Sequence, residues 1–332
     1  MTRPDPSSDA SVHSLHQPTR NPGLPLDVSR LENLAVNTSA VERRAATLAT
    51  RRSLKKDHQA AWLLKAVTCI DLTTLAGDDT PGRVERLCAK ARQPVRRDLL
   101  EGLGVADLGL SVGAVCVYHE MVPAAVAALA DSGIPVAAVS AGFPAGLSWR
   151  EGRIAEVEAS VAAGAAEIDI VINRGLVLSG DWQALHDEVR AFREAAGPAH
   201  LKAILGTGDL GPLRQVARAS QVAMMAGADF IKTSTGKESI NATLPVSLVM
   251  LRQIRAFEEE TGQRIGFKPA GGISTAKTIL AYQIMMREEL GRPWLDPTLF
   301  RVGASGLLGD IERQLEHHLS GAYSASHRHP MG

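Results

Sequence analysis

The sequence predicts an α/β protein, a (β/α)8 TIM barrel with an extra N-terminal helical segment. Two observations carry this. Eight short β-rich runs alternate with amphipathic helical stretches over about 250 residues, which argues a parallel sheet wrapped by its own helices. Polar residues also recur at every second position of otherwise apolar runs, which suits strands with helices on one side and a barrel interior on the other.

The elements follow in order. Residues 1–30 are rich in Pro and Ser and read as a flexible tail. Residues 31–66 carry a charged helical pattern and form the helical extension; residues 67–319 form the barrel, and residues 320–332 a flexible C-terminal tail. The strand candidates are 68–75, 113–118, 135–143 and 166–173, then 200–205, 229–234, 264–271 and 299–305. Helical periodicity fills 151–163, 181–196, 212–226, 245–261 and 274–290 between them. A doubly wound sheet would want a Gly-rich fingerprint directly after an early strand. GLGVAD (102–107) follows no strand and has Asp107 where the third glycine belongs.

Composition narrows the function. The 36 basic and 36 acidic residues cancel, so nothing marks a nucleic-acid or anionic-membrane partner. No apolar run is long enough to span a bilayer, and the N-terminus lacks a signal-peptide pattern. Cys69, Cys88 and Cys116 make an odd set without a CxxC pair, which fits a reduced, cytoplasmic location.

Three lysines lie in apolar strand runs: Lys202 in HLKAIL, Lys232 in DFIKTSTGK and Lys268 in IGFKPAGG. Desolvating an ammonium is expensive, so such positions call for a reason. An amine whose pKa is pushed down can attack a carbonyl and form a Schiff base. In AEIDIVIN, Ile168, Ile170 and Ile172 share one face, while Glu167, Asp169, Val171 and Asn173 share the other. Asp169, Lys202, Lys232 and Lys268 can therefore all point inward from separate strands. If Lys232 and Lys268 approach closely, repulsion lowers one pKa, and Asp169 can shuttle protons. Asp71 in CIDLTTL is a further polar candidate at the barrel mouth.

The late turns STGK (234–237), AGGIS (270–274) and GASG (303–306) are rich in small residues, which lets backbone N–H groups approach an anion. TSTGK is no Walker A loop, since Ile231 takes the place of its first glycine and Glu238 that of its Ser/Thr. Blander readings stand beside these. A lone strand lysine is commonly salt-bridged, Cys116 suits a small core position, and His119 suits a loop. No HExxH-like pair exists, so a zinc site is not expected.

Several runs occur together and in order: IDLTTL (70–75), AVCVY (114–118), EIDIVIN (167–173), GADFIKTSTGK (227–237), GFKPAGGI (266–273) and FRVGAS (300–305). From about Leu64 to Leu319 the chain thereby resembles the deoxyribose-phosphate aldolase family of class I aldolases, in its longer form. The resemblance implies a (β/α)8 barrel and reversible cleavage of 2-deoxy-D-ribose 5-phosphate to acetaldehyde and D-glyceraldehyde 3-phosphate. It implies a Schiff base on Lys232, a neighbouring Lys268 that lowers its pKa, Asp169 as proton relay and Lys202 in support. Substrate and phosphate would lie against Asp71, Thr235, Gly236, Lys237, Gly271, Gly272, Gly303 and Ser305. No metal or organic cofactor is needed, the partners are a sugar phosphate and aldehydes, and the resemblance admits a homo-oligomer. The sequence departs from the family pattern at Ser274, where an arginine is usual, at Gly206 and Gly306, and in a Tyr323 that is not terminal. Two other readings are a class I aldolase with a different donor and a non-catalytic barrel used for interaction. The first should lack the pairing of GFKPAGG with EIDIVIN; the second should have lost a reactive residue, and all four remain.

Overall fold

The structure, a computed structural model, describes residues 20–51 and 53–329. Three helices precede the first strand: α1 (Val28–Asn33), α2 (Thr38–Arg51) and α3 (Lys56–Thr68). Then follow β1 (Ile70–Thr73), α4 (Pro81–Arg92), α5 (Arg97–Gly102), β2 (Ala114–Tyr118), α6 (Val122–Ala128), β3 (Val136–Ser140) and α7 (Arg150–Ala162). The second half holds β4 (Glu167–Val171), α8 (Arg174–Ser179), α9 (Trp182–Ala196), β5 (His200–Ile204), α10 (Leu213–Met225) and β6 (Phe230–Lys232). It closes with α11 (Leu244–Thr261), β7 (Gly266–Lys268), α12 (Ala276–Glu289), β8 (Val302–Gly303) and α13 (Gly306–Ser320). Among the described residues, no helix is long and apolar enough to cross a membrane.

The local signals are ordinary ones used repeatedly. Thr80, Asp181, Thr243 and Thr275 each accept a backbone N–H as N-caps of α4, α9, α11 and α12. Proline in the first turn supports α4 and α11. All eight strands are parallel, in the order β7-β6-β5-β4-β3-β2-β1-β8. The seam between β7 and the approach to β8 closes through Phe267 N–H to Leu299 O (2.9 Å), Arg301 N–H to Phe267 O (3.1 Å) and Gly303 N–H to Pro269 O (3.0 Å). The strands lie within the predicted runs but are shorter, most of them trimmed at both ends, where the chain passes into the flanking loops and helices.

Alternation divides the barrel wall. Ile70, Leu72, Val115, Val117, Ile168, Ile170, Leu201, Ile231 and Phe267 face outward into the large core beneath the helices. Each such side chain contributes about 1.5–3 kcal/mol relative to exposure. Inside, Cys116, Ala137 and Val139 form a small separate apolar cluster with Leu75, Tyr118 and Phe143. The charged residues occupy the rest of the interior.

The ends differ from expectation. Residues 1–19 and 330–332 of the expected tails lie outside the described residues. Residues 20–30 are not loose. The Asn21 amide donates to Met224 O (2.7 Å) and Ala228 O (3.0 Å), and its backbone N–H donates to Asp229 Oδ1 (2.8 Å). The boundary at 30 falls inside α1, and the segment before β1 is made of three helices. At the other end His329 is buried against Glu316 (3.1 Å) and Ser324 (2.8 Å), which folds residues 321–329 back along α13. Tyr323 is exposed and stacks on His317, with ring centroids 4.1 Å apart. Polar anchors spaced this far apart in sequence leave no local pattern, so tail composition alone misreads them.

Gly266 makes one packing requirement sharp. A Cβ there would meet the Phe230 ring at 2.4 Å, and Phe230 is fully buried across the β6–β7 ladder. Gly266→Ala should therefore lower the unfolding free energy by about 1–3 kcal/mol in urea denaturation. An unchanged midpoint would show that the ring has room to move.

Candidate active site

Period two places Asp71, Glu167, Asp169, Lys202, Lys232, Lys268 and Arg301 on the inner wall. Their side chains meet in one buried network. Asp169 is its centre: Oδ1 accepts from Lys202 Nζ, and Oδ2 accepts from both Lys232 Nζ and Lys268 Nζ, all at 2.7 Å. Lys232 and Lys268 are direct neighbours across the β6–β7 ladder, as are Asp169 and Lys202 across β4–β5. The two lysine nitrogens that share Oδ2 can be no farther apart than twice that distance.

A second tier lies below. Lys268 reaches Asp71 Oδ2 at 2.5 Å, and Lys202 reaches Glu167 Oε2 at 2.6 Å. Arg301 joins the two carboxylates, bonding Asp71 Oδ1 at 2.7 Å and Glu167 Oε1 at 2.8 Å. Asp71 is thus not at the mouth, where the sequence reading put it. It has no exposed surface and is held between Lys268 and Arg301. The interior cations draw it down, because an ammonium away from water needs a carboxylate beside it.

The charges sort themselves by these contacts. Burial would push the Asp169 carboxyl upward, but the three ammonium groups outweigh it and hold the group well below the usual range. Asp71 is lowered in the same way: burial opposes, and Lys268, Arg301 and Lys202 prevail. Lys268 is raised, since Asp169 and Asp71 outweigh the cost of burial. Lys202 is raised by Asp169 and Glu167 against the same cost. Lys232 goes the other way. Burial lowers it first, Asp169 only partly offsets this, and the Lys268 cation lowers it further. Of the three lysines it alone keeps any exposed surface, 3%, at the barrel mouth. The arrangement sets an amine of lowered basicity at an opening, an amine of raised basicity beside it, and a carboxylate that touches both.

The candidate anion-binding turns gather at the rim. Gly236, Gly271 and Gly272 all adopt positive φ, as the tight turns require. Lys237 Nζ donates to Leu75 O at 3.1 Å, bridging the loops after β6 and β1. The Ser305 hydroxyl donates to Thr73 O, and the Gly303 N–H closes the barrel seam. The N–H groups of Thr235 (3.0 Å) and Gly236 (3.2 Å) donate to Glu238 Oε2, as does the Thr235 hydroxyl (2.7 Å). This turn therefore already holds an anion, the chain's own carboxylate. Cys116 faces the interior with its thiol pushed up by burial, and His119 lies on the loop after β2, 3.4 Å from Glu156.

Sequence reasoning missed Glu167 and Arg301 as members of the cluster. The signal was present: each lies two residues before an inward group, Asp169 in EIDIV and Gly303 in FRVGAS.

Comparisons with known proteins identify the family. A model of the DeoC/LacD family of aldolases matches residues 65–287. The deoxyribose-phosphate aldolase of Homo sapiens is 58% identical over 313 residues, covering 94% of this chain and 98% of its own. That of Mus musculus is 58% identical over 311 residues, covering 93% and 98%. A deoxyribose phosphate aldolase from Aeropyrum pernix, described as a tetramer, matches in fold with a TM-score of 0.57 at 20% identity, over 84% of this chain and 99% of its own.

Asp169 should also be a stability determinant. Asp169→Asn leaves buried ammonium groups underpaired and should cost about 3 kcal/mol at neutral pH. Its native carboxyl is lowered from 3.8, so its contribution is present above about pH 4 and lost as pH falls below that. Acid unfolding of the variant should be correspondingly shallower. Equal acid slopes for the two proteins would remove Asp169 from that role.

Proposed function

The chain belongs to the DeoC/LacD aldolase family, as a class I carbon–carbon lyase of the deoxyribose-phosphate aldolase type, and from that premise we propose that it cleaves 2-deoxy-D-ribose 5-phosphate reversibly through a Schiff base on Lys232. The observation that carries the reading is the shared Asp169 oxygen, which sets a lowered Lys232 amine beside a Lys268 that stays cationic.

In cleavage, Lys232 Nζ attacks C1 of the open-chain aldehyde, water leaves, and an iminium forms. The iminium nitrogen carries a new positive charge beside Asp169 and keeps one N–H where the neutral amine had two. Asp169, in contact with Lys268, takes the C3 hydroxyl proton directly or through water, and the cationic iminium makes that proton easier to lose as the C2–C3 bond breaks. The C2–C3 electrons move into C1–C2 and the iminium accepts a pair, giving an enamine and glyceraldehyde 3-phosphate. Asp169 returns the proton to C2, and water releases acetaldehyde and the amine. Lys268 stays charged throughout and keeps the carboxylate oriented; Lys202 does the same from the other oxygen.

The phosphate would lie over Gly236, Lys237, Gly271, Gly272, Gly303 and Ser305, where backbone N–H groups and the start of α13 favour an anion. There it has to displace the Glu238 carboxylate from Gly236. Binding at this remote end orients the reacting carbons over Lys232. The reaction belongs to the catabolism of deoxyribonucleoside sugars, and the three buried free thiols suit work in the cytoplasm.

Borohydride reduction in the presence of acetaldehyde, followed by peptide mass mapping, tests the chemistry and its position together. A two-carbon adduct on Lys232 is expected. A folded protein with no adduct, or with the adduct elsewhere, overturns the assignment. Lys232→Ala should abolish turnover; near-normal rates in that variant would sink the mechanism. Lys268→Leu should slow the reaction and move the acidic limb of the pH–rate profile upward, because Lys232 loses the cation that helps keep it unprotonated. An unmoved limb would assign Lys268 a different task.

A further inference from the structure

The buried network holds an unequal count of charges. Lys202, Lys232, Lys268 and Arg301 supply four cations, and Asp71, Glu167 and Asp169 supply three anions. None of the seven is more than 5% exposed. The other walls do not correct the balance. The inward residues of β3 are Ala137 and Val139; β2 contributes Cys116, a thiol kept neutral by burial. The His200 ring at the start of β5 lies against Phe230, and neither of its nitrogens has a hydrogen-bond partner. At the base, Arg20, Lys65 and Asp296 line a cavity that opens beneath Glu167 and Arg301. At the rim, Lys237 and Glu238 bond to loop groups rather than to the cluster.

One cation too many in a low-dielectric interior has to be relieved. Arg301 cannot give up a proton. Lys202 bridges Glu167 and Asp169, and Lys268 bridges Asp71 and Asp169. Lys232 touches one carboxylate, through an oxygen it shares with Lys268. Removing the proton from Lys232 therefore forfeits the least attraction. Were Arg301 neutral, three lysines would match three carboxylates and Lys232 could stay charged without excess.

We propose that Arg301 is a positioning residue for the reaction: a permanent cation at the foot of the barrel that ties up Asp71 and Glu167 from below and thereby makes Lys232 the surplus amine, the one that enters the chemistry unprotonated. This rests on the Schiff-base reading above. Arg301 acts some distance from the reacting carbon, and it does so through the count of charges.

The test compares Arg301→Met, Arg301→Lys and Glu167→Gln with the unaltered protein, reading both cleavage rate and acetaldehyde–borohydride trapping of Lys232 against pH. Arg301→Met should move the acidic limb up by about one pH unit, a tenfold loss of free amine at a fixed pH on that limb. Glu167→Gln removes an anion and should move it down. Arg301→Lys keeps the charge and should leave the limb near its original place. Opposite shifts with rescue by lysine support the proposal. Lower rates with unmoved limbs, or shifts of one sign in both charge variants, would make Arg301 a strut and overturn it. Should Arg301→Met fail to fold, the downward shift in Glu167→Gln and the position of the Arg301→Lys limb still decide. Failure to trap Lys232 in the unaltered protein would instead overturn the Schiff-base reading, so the two failures are distinguishable.

Discussion

The Asp169 carboxylate, with three lysine amines at hydrogen-bonding distance inside a closed barrel, is the constraint on which the site depends. Idealised, moving one such ion into a dry interior costs on the order of 20 kcal/mol, and only close, well-aligned partners recover it. That requirement fixes where the strands must sit. β4, β5, β6 and β7 have to present Asp169, Lys202, Lys232 and Lys268 at matching heights, and their ladder registers do so. A slip by one residue on any of these strands would turn its charged group outward into the helix layer.

The rest of the barrel serves that arrangement. β2 and β3 line the interior with small apolar side chains, so the charges collect on the other strands and lack competing partners across the bore. Gly266 leaves room for Phe230 beneath the lysines, and Arg301 and Glu167 close the lower tier. Below them, Asp229 at the head of β6 accepts from Asn21 N–H, Leu201 N–H and Arg193, which ties the N-terminal segment to the base. The strand that carries Lys232 is thereby anchored at the end opposite that lysine. The rim is built from glycine turns of positive φ, on the face where Lys232 keeps its small exposed surface.

Much of this was legible because burial of charge violates a strong expectation. A lysine inside HLKAIL, FIK or GFK stands out against its neighbours, and alternation in EIDIV gives Asp169 the same inward direction. Glu167 and Arg301 obey the same alternation but sit near the strand starts, where a charged residue usually meets solvent, and so they carry no local anomaly. Asp71 looked like a mouth residue for a similar reason: its strand gives the direction of the side chain but not its depth. The chain ends were misjudged because Asn21 and His329 find their partners 203 residues and 13 residues away, respectively, and composition does not record such pairings.

The sequence by itself determined the fold class, the inward direction of the reactive side chains and the small-residue turns of the rim, because each follows from periodicity or from the backbone freedom of single residues. Only the tertiary structure decided which amine has its basicity lowered and which two have theirs raised. That depends on how many cations and carboxylates share one dry space, and on which of them share the same oxygen. Five separate strands and the approach to β8 set that count together, and no one of them encodes it.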